Sequence, residues 1–182
     1  MIITITGRMG SGKDTVLNLL NAPEGYLILD ADTIGHDLLT KDYVIKKVSF
    51  SYPTVIENGK INKQKLAAKV FPNNIDAFNQ IIHPYLIEEI QSNLYPNTII
   101  NAAIPKELKL LELSDVIITV DSTDESIIKR TAERFERQDV LNRLKVQKTR
   151  EWYNGISDII INNNGSFEEL QEEVDKKCKT LF

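Results

Sequence analysis

Five short apolar runs rich in β-branched residues punctuate the chain: Ile2–Thr6, Tyr26–Asp30, Thr98–Asn101, Val116–Val120 and Ile159–Ile161. Turn residues bound them, and stretches of helical character separate them. Such runs predict the strands of a parallel sheet buried on both faces. Ser122-x-x-Glu125 and Ser166-x-x-Glu169 have capping-box spacing and predict two helix starts, because each Ser and Glu side chain satisfies a backbone N–H the helix leaves open. The helix from Ser166 sets Glu172, Glu173 and Asp175 four residues before Lys176, Lys177 and Lys179, which predicts a solvated outer face. Between the second and third runs, roughly 65 residues show no convincing strand. They read as helices over Thr33–Leu39, Tyr43–Phe50, Lys63–Val70 and Asn74–Leu94. A plain βα crossover needs far fewer residues, so the excess predicts a helical lobe inserted into an α/β core.

The 182 residues suit one domain. The expected core is residues 1–32, 96–123 and 155–182, with the inserted lobe at 33–95 and a helical segment at 124–154. No apolar run approaches the roughly 20 residues that span a bilayer, and the N-terminus lacks the basic start and cleavage site of a signal peptide. Cys178 is the only cysteine, which excludes an intrachain disulfide and a Cys-rich zinc site. The cytoplasm is the expected compartment, and a monomer or weak homo-oligomer the expected state. The net charge of −4 argues against a general polyanion-binding surface.

Three of the eight glycines fall in Gly7-Arg8-Met9-Gly10-Ser11-Gly12-Lys13-Asp14-Thr15. This is G-x-x-x-x-G-K placed directly after a strand and before an amphipathic helix. Glycines let successive backbone N–H groups point at phosphate oxygens, the helix N-terminus adds positive potential, and Lys13 reaches the β- and γ-phosphates. Gly10, Ser11, Gly12, Lys13, Asp14 and Thr15 are therefore the candidate phosphate-binding residues. The position after Lys13 commonly carries a Ser or Thr that ligates Mg²⁺; here it is Asp14, and Thr15 is the candidate hydroxyl ligand.

Asp30-Ala31-Asp32 closes the second run, at the sheet end where ligands of open parallel sheets bind. If the strand stays extended through both acids, they share a side. One suits Mg²⁺ and one suits proton acceptance from a hydroxyl; N-capping of the next helix by Asp32 is the plain alternative. Asp32-Thr-Ile-Gly35 also spells a GTPase element, but no guanine-binding Asn-Lys-x-Asp follows a later strand.

Five of the six arginines lie in residues 129–150, where eight basic residues face three acidic ones. Arg130, Arg134 and Arg137 are spaced to share one helix face, and Arg143, Gln147 and Arg150 repeat the spacing. Two antiparallel helices joined near Gln138-Asp139 would present both stripes to one space. Arginines closing over a transferring phosphoryl group stabilise its charge, and a closing lid excludes water. A salt-bridged surface hairpin is the alternative. Nucleic acid is not expected as a partner, since no aromatic-rich basic groove is present.

Taken in order, these segments resemble the dephospho-coenzyme A kinase family. The glycine loop, Asp30-Ala31-Asp32, the run Asn58-Gly59-Lys60-Ile61-Asn62-Lys63 through Leu66 to Val70-Phe71, His83-Pro84, Arg130 and Arg134, Gln147, and Asp158-x-x-Ile161-x-Asn163 follow the family's order and spacing. The resemblance implies a P-loop NTPase fold of the nucleoside-monophosphate-kinase type: a five-stranded parallel sheet flanked by helices, with an inserted helical acceptor lobe and a helical lid. It implies transfer of the ATP γ-phosphoryl group to the ribose 3′-hydroxyl of dephospho-CoA, with ATP and Mg²⁺ as cofactors. On that footing Asp32 is the general base and Lys13 and Arg130 stabilise the phosphoryl group. Arg134 and Asn163 join the nucleotide site, His36 and His83 the acceptor site, and Thr15 and Asp30 the Mg²⁺ site. The chain departs from the family at Arg8, Asp14, His36 and Asn101-Ala102-Ala103. Gly-Lys-Asp-Thr also occurs in deoxynucleotide monophosphate kinases, an alternative reading beside a nucleotide-binding module without turnover. Residues 33–95 contain no arginine, which favours a hydroxyl over a phosphate acceptor.

Overall fold

The apolar runs become strands, and the segments between them become helices. In chain order the elements are β1 (Ile2–Thr6), α1 (Lys13–Leu19), β2 (Leu27–Asp30), α2 (Ala31–Leu38), α3 (Asp42–Ser51), β3 (Ile56–Glu57), β4 (Lys60–Ile61), α4 (Lys63–Val70), α5 (Ile75–Ser92), β5 (Thr98–Asn101), β6 (Val116–Asp121), α6 (Asp124–Thr131), α7 (Arg137–Val146), α8 (Arg150–Gly155), β7 (Ile159–Asn162) and α9 (Phe167–Cys178). The computed structural model describes residues 1–71 and 73–182. They divide into two compact units, Met1–Leu29 with Tyr95–Phe182, and Asp30–Leu94.

The first unit holds the sheet, a parallel array in the order β2-β5-β1-β6-β7. Alternation along the strands sends Ile3, Ile5, Ile99, Ile118, Val120 and Ile161 into one core with Val16 and Leu20 from the first helical segment and Leu170, Val174 and Cys178 from α9. Burying each branched side chain contributes about 1.5–3 kcal/mol. Buried polar residues on the strands differ from the expectation of strands apolar on both faces. Thr4 Oγ1 lies 2.6 Å from Ser114 Oγ, and Thr119 Oγ1 donates to the Tyr153 carbonyl at 3.0 Å. These hydroxyls are tolerated in the interior because they are paired.

Two helix starts behave differently from each other. Ser166 and Glu169 form the expected capping box. At the other, Thr123 rather than Ser122 is the cap, accepting from Ser126 N–H at 3.3 Å. The Ser122 hydroxyl instead donates to the carbonyls of Ser11 and Asn163. Of the pairs on the outer face of α9, Glu173–Lys177 closes at 2.6 Å.

The expected two-helix arginine hairpin is corrected. The chain turns at residues 132–136, and Gln138 and Asp139 lie inside α7. The cause is hydrophobic: Phe135 packs with Ile127, Ile128, Val140 and Leu144, which folds α7 back onto α6. Arg130, Arg134 and Arg137 therefore occupy a helix, a turn and a new helix rather than one face, and the second stripe is broken between α7 and α8.

In the second unit α2 and α3 pack against α5. Expectation and structure differ at β3 and β4, an antiparallel hairpin pairing Ile56 with Ile61 and Glu57 with Lys60. Asn58 and Gly59 have φ of 49° and 74°, the left-handed pair that a two-residue hairpin turn requires. His83 lies with Pro84 in the interior of α5.

Candidate active site

The loop between β1 and α1 is shaped by glycines in left-handed backbone at points of close approach. Gly10 and Gly12 have φ of 66° and 97°. A Cβ on Gly10 would come within 2.8 Å of Thr131 Cγ2, and one on Gly12 would strike the Asn163 amide. The loop is thus held against α6 on one side and the segment after β7 on the other. Asn163 Nδ2 donates to the Ser11 carbonyl at 2.7 Å, and the Met9 N–H donates to Gln147 Oε1 at 3.0 Å.

Arg130 reaches the same loop from α6. It donates to the Gly10 carbonyl at 2.8 Å, to Ser122 Oγ at 3.3 Å and to the Asn163 carbonyl. Burial pushes its pKa below the ordinary value, and a guanidinium remains charged at neutral pH all the same. Among the described residues its partners are carbonyls and a hydroxyl, so its positive charge is oriented here without being cancelled by a carboxylate. Lys13 Nζ lies 3.2 Å from the Gly7 carbonyl and 3.3 Å from that of Arg8, arched over the loop. Ser11 is fully buried, and its hydroxyl has no hydrogen-bond partner among the described residues. A buried orphan of this kind costs about 1–3 kcal/mol, which a phosphate oxygen in the loop would offset. An ammonium, a guanidinium, an open hydroxyl and a strand–glycine loop–helix backbone fit a polyphosphate.

Around the loop, other charges are paired. Arg8 donates to Asp124 Oδ1 and to the Ser122 carbonyl, both at 2.6 Å. Arg150 grips the buried Asp121 through Nε at 2.5 Å and through a second nitrogen. That fork, with an amide contact from Asn154, holds the Asp121 carboxyl below its ordinary pKa and raises the Arg150 guanidinium. Arg137 forks onto the exposed Glu125 at 2.7 and 3.2 Å. The Arg143 guanidinium sits 4.8 Å above the Phe135 ring. Arg134 is exposed in the turn before α7 and lies outside this cluster. Of the arginines in the stripes, Arg130 is bonded to the loop itself, through the Gly10 carbonyl.

Asp14 and Thr15 stand in the first turn of α1, Asp14 exposed and Thr15 half-buried. Asn101 Nδ2 donates to Asp14 Oδ1 at 2.7 Å. Oxygen donors of this kind suit a hard cation such as Mg²⁺.

The acidic pair departs from the expected extended geometry. β2 stops at Asp30, whose carboxylate caps α2 by accepting from Thr33 N–H at 2.7 Å. The cap is Asp30, not Asp32. Asp32 lies in the first turn of α2, exposed, with His36 four residues on along the same helix face. His83 is half-buried on α5, against which α2 packs.

Ser122, Asp121 and Asn101 were not marked as site residues by motif. A polar Asp-Ser pair closing an otherwise apolar strand was the available signal for the first two.

Comparison with known proteins agrees with this geometry. The family model described as dephospho-CoA kinase matches residues 1–169. The dephospho-CoA kinase of Carboxydothermus hydrogenoformans is 32% identical over 187 residues, covering 95% of this chain and 90% of that one. The crystal structure of TT1252 from Thermus thermophilus superposes with a TM-score of 0.76 at 26% identity, covering 97% of this chain and 95% of its own. A dephospho-CoA kinase from Campylobacter jejuni shares the fold at a TM-score of 0.64 and 21% identity, over 96% of this chain and 94% of its own. With the match running from the first strand into α9, and the glycine loop folded beneath Arg130 as the motif requires, this chain belongs to the dephospho-CoA kinase family.

Proposed function

We propose that Lys13, Arg130 and Asp32 carry the family's reaction, ATP-dependent phosphorylation of dephospho-CoA to CoA, at its ribose 3′-hydroxyl. The observation that carries this reading is the convergence of Arg130, Ser122 and Asn163 on the glycine loop beside Lys13. Residues Gly10 to Thr15 hold the ATP phosphates. The 3′-oxygen attacks the γ-phosphorus, the bond to the β,γ-bridging oxygen breaks, and ADP leaves. The hydroxyl proton passes to the Asp32 carboxylate. Lys13 and Arg130 offset the charge spread over the equatorial oxygens.

Residues 33–95 form the acceptor lobe, where His36 and His83 contact dephospho-CoA. Residues 124–154 form the lid, with Arg134 swinging onto the nucleotide and Asn163 completing its site. Thr15 and Asp30 would hold Mg²⁺, which would supply charge neutralisation for the transferring phosphoryl group. No helix among the described residues is long and apolar enough to cross a membrane. On this reading the enzyme is cytoplasmic and acts on small molecules as a monomer or weak homo-oligomer.

An ADP-release assay with ATP and a panel of acceptors tests the reading. Turnover is expected with dephospho-CoA and not with dAMP, dCMP, dGMP or dTMP. Turnover confined to a nucleoside monophosphate would overturn the acceptor assignment.

A further inference from the structure

Asp14 on α1 and Asn101 on β5 are bonded to each other. Asn101 ends β5, and alternation puts it on the face of Ile99, which packs toward α1. It is 4% exposed, and its amide reaches the Asp14 carboxylate at 2.7 Å. Asp14 follows Lys13 directly, in the first turn of α1 beside the glycine loop. A Ser or Thr at this position would be neutral. The carboxylate instead adds a full negative charge beside the polyphosphate, and Asn101 fixes which way it points.

A metal-free nucleotide tail meets that charge as repulsion. A nucleotide carrying a divalent cation would meet it as attraction, because the cation's charge offsets that of the phosphates and favours a nearby carboxylate. We propose that Asp14, oriented by Asn101, makes this loop discriminate for the metal-bound nucleotide against the free one. Asp14 is the specificity-determining residue and Asn101 a positioning residue. The inference rests on the phosphate-loop reading above.

Calorimetric titration of ADP into the full chain, once in EDTA and once in excess Mg²⁺, tests it without turnover. The wild type is expected to bind at least about 30-fold more tightly with Mg²⁺, since one close charge at protein-like dielectric is worth a factor of ten or more. Asp14→Asn keeps an oxygen for the Asn101 amide and removes the charge. It should bind ADP in EDTA about tenfold more tightly than the wild type and reduce the Mg²⁺ preference to about threefold or less. Asp14→Ser should lose the Mg²⁺ preference too, while also releasing the Asn101 amide that Asp14→Asn keeps paired. Asn101→Ala should leave binding in EDTA within about twofold and weaken binding in Mg²⁺, a split that simple loss of packing would not produce. A wild type with no more Mg²⁺ preference than Asp14→Asn, or an Asp14→Asn variant with unchanged affinity in EDTA, overturns the inference. A wild type that binds no ADP in either buffer overturns the phosphate-loop reading and the inference with it.

Discussion

Asp121 illustrates how a single side chain near the loop serves the site without touching a phosphate. It is 5% exposed and forked by Arg150, which anchors the start of α8 to the end of β6. Removing one partner strands the other, a loss of about 2–3 kcal/mol once the partial exposure of Arg150 is allowed for. Asp121→Ala should therefore lower the urea midpoint accordingly. The carboxyl lies below its ordinary 3.8 in the folded protein, chiefly through the Arg150 hydrogen bonds. Its stabilisation is complete above that ordinary value and is lost as pH falls through the folded one. Acid titration of Asp121→Asn should consequently show a shallower loss of stability below pH 3.8 than the wild type. On the proposed reading Asp32 takes the hydroxyl proton instead. Asp32→Asn should lower turnover at least about 100-fold with little change in ATP affinity. A near-wild-type rate would leave Asp32 as an acidic decoration of the first turn of α2, since Asp30 already supplies the cap.

The elements show which patterns survive folding. Strand runs such as Ile2–Thr6 were legible because short, turn-bounded runs of β-branched residues suit a pleated, buried surface. Lys63–Val70 was legible because Asn62 and the apolar spacing of Leu66 and Val70 act locally. The arginine stripe was not, because a spacing of i, i+4, i+7 presumes one unbroken helix, and Phe135 breaks it by joining a cluster that includes Val140 and Leu144. The β3–β4 hairpin escaped notice because strands of two residues leave no alternation to read, although Asn58-Gly59 is a strong turn signal. The bonds of Gln147 to Met9 and of Asn101 to Asp14 join segments far apart in the chain, which spacing cannot foretell. The loop itself depends on one close approach between elements. Gly10→Ala forces a left-handed alanine, costing about 1–2 kcal/mol, and drives its methyl group into Thr131 on α6. Both the urea midpoint and ADP affinity should fall, because Arg130 rides on the helix that is displaced.

At the scale of the whole molecule, the charge balance divides the labour. The chain carries −4, yet residues 129–150 hold eight basic residues against three acidic ones, so attraction for phosphates is local. The KM for ATP should rise with ionic strength as that attraction is screened. Tyr153 ties α8 to the segment after β5 by donating to the Ala103 carbonyl at 2.6 Å, and burial pushes its phenol up to about 12 from 10.0. Its contribution to stability is intact below pH 10 and disappears as pH rises toward 12, a step that Tyr153→Phe should abolish at a cost of about 1 kcal/mol. The most direct measurement on the account is ADP release from ATP and dephospho-CoA by Lys13→Ala alongside the wild type. The account predicts steady turnover by the wild type and a loss of at least about 100-fold in a variant that still folds. A folded Lys13→Ala protein that phosphorylates dephospho-CoA at the wild-type rate would contradict it.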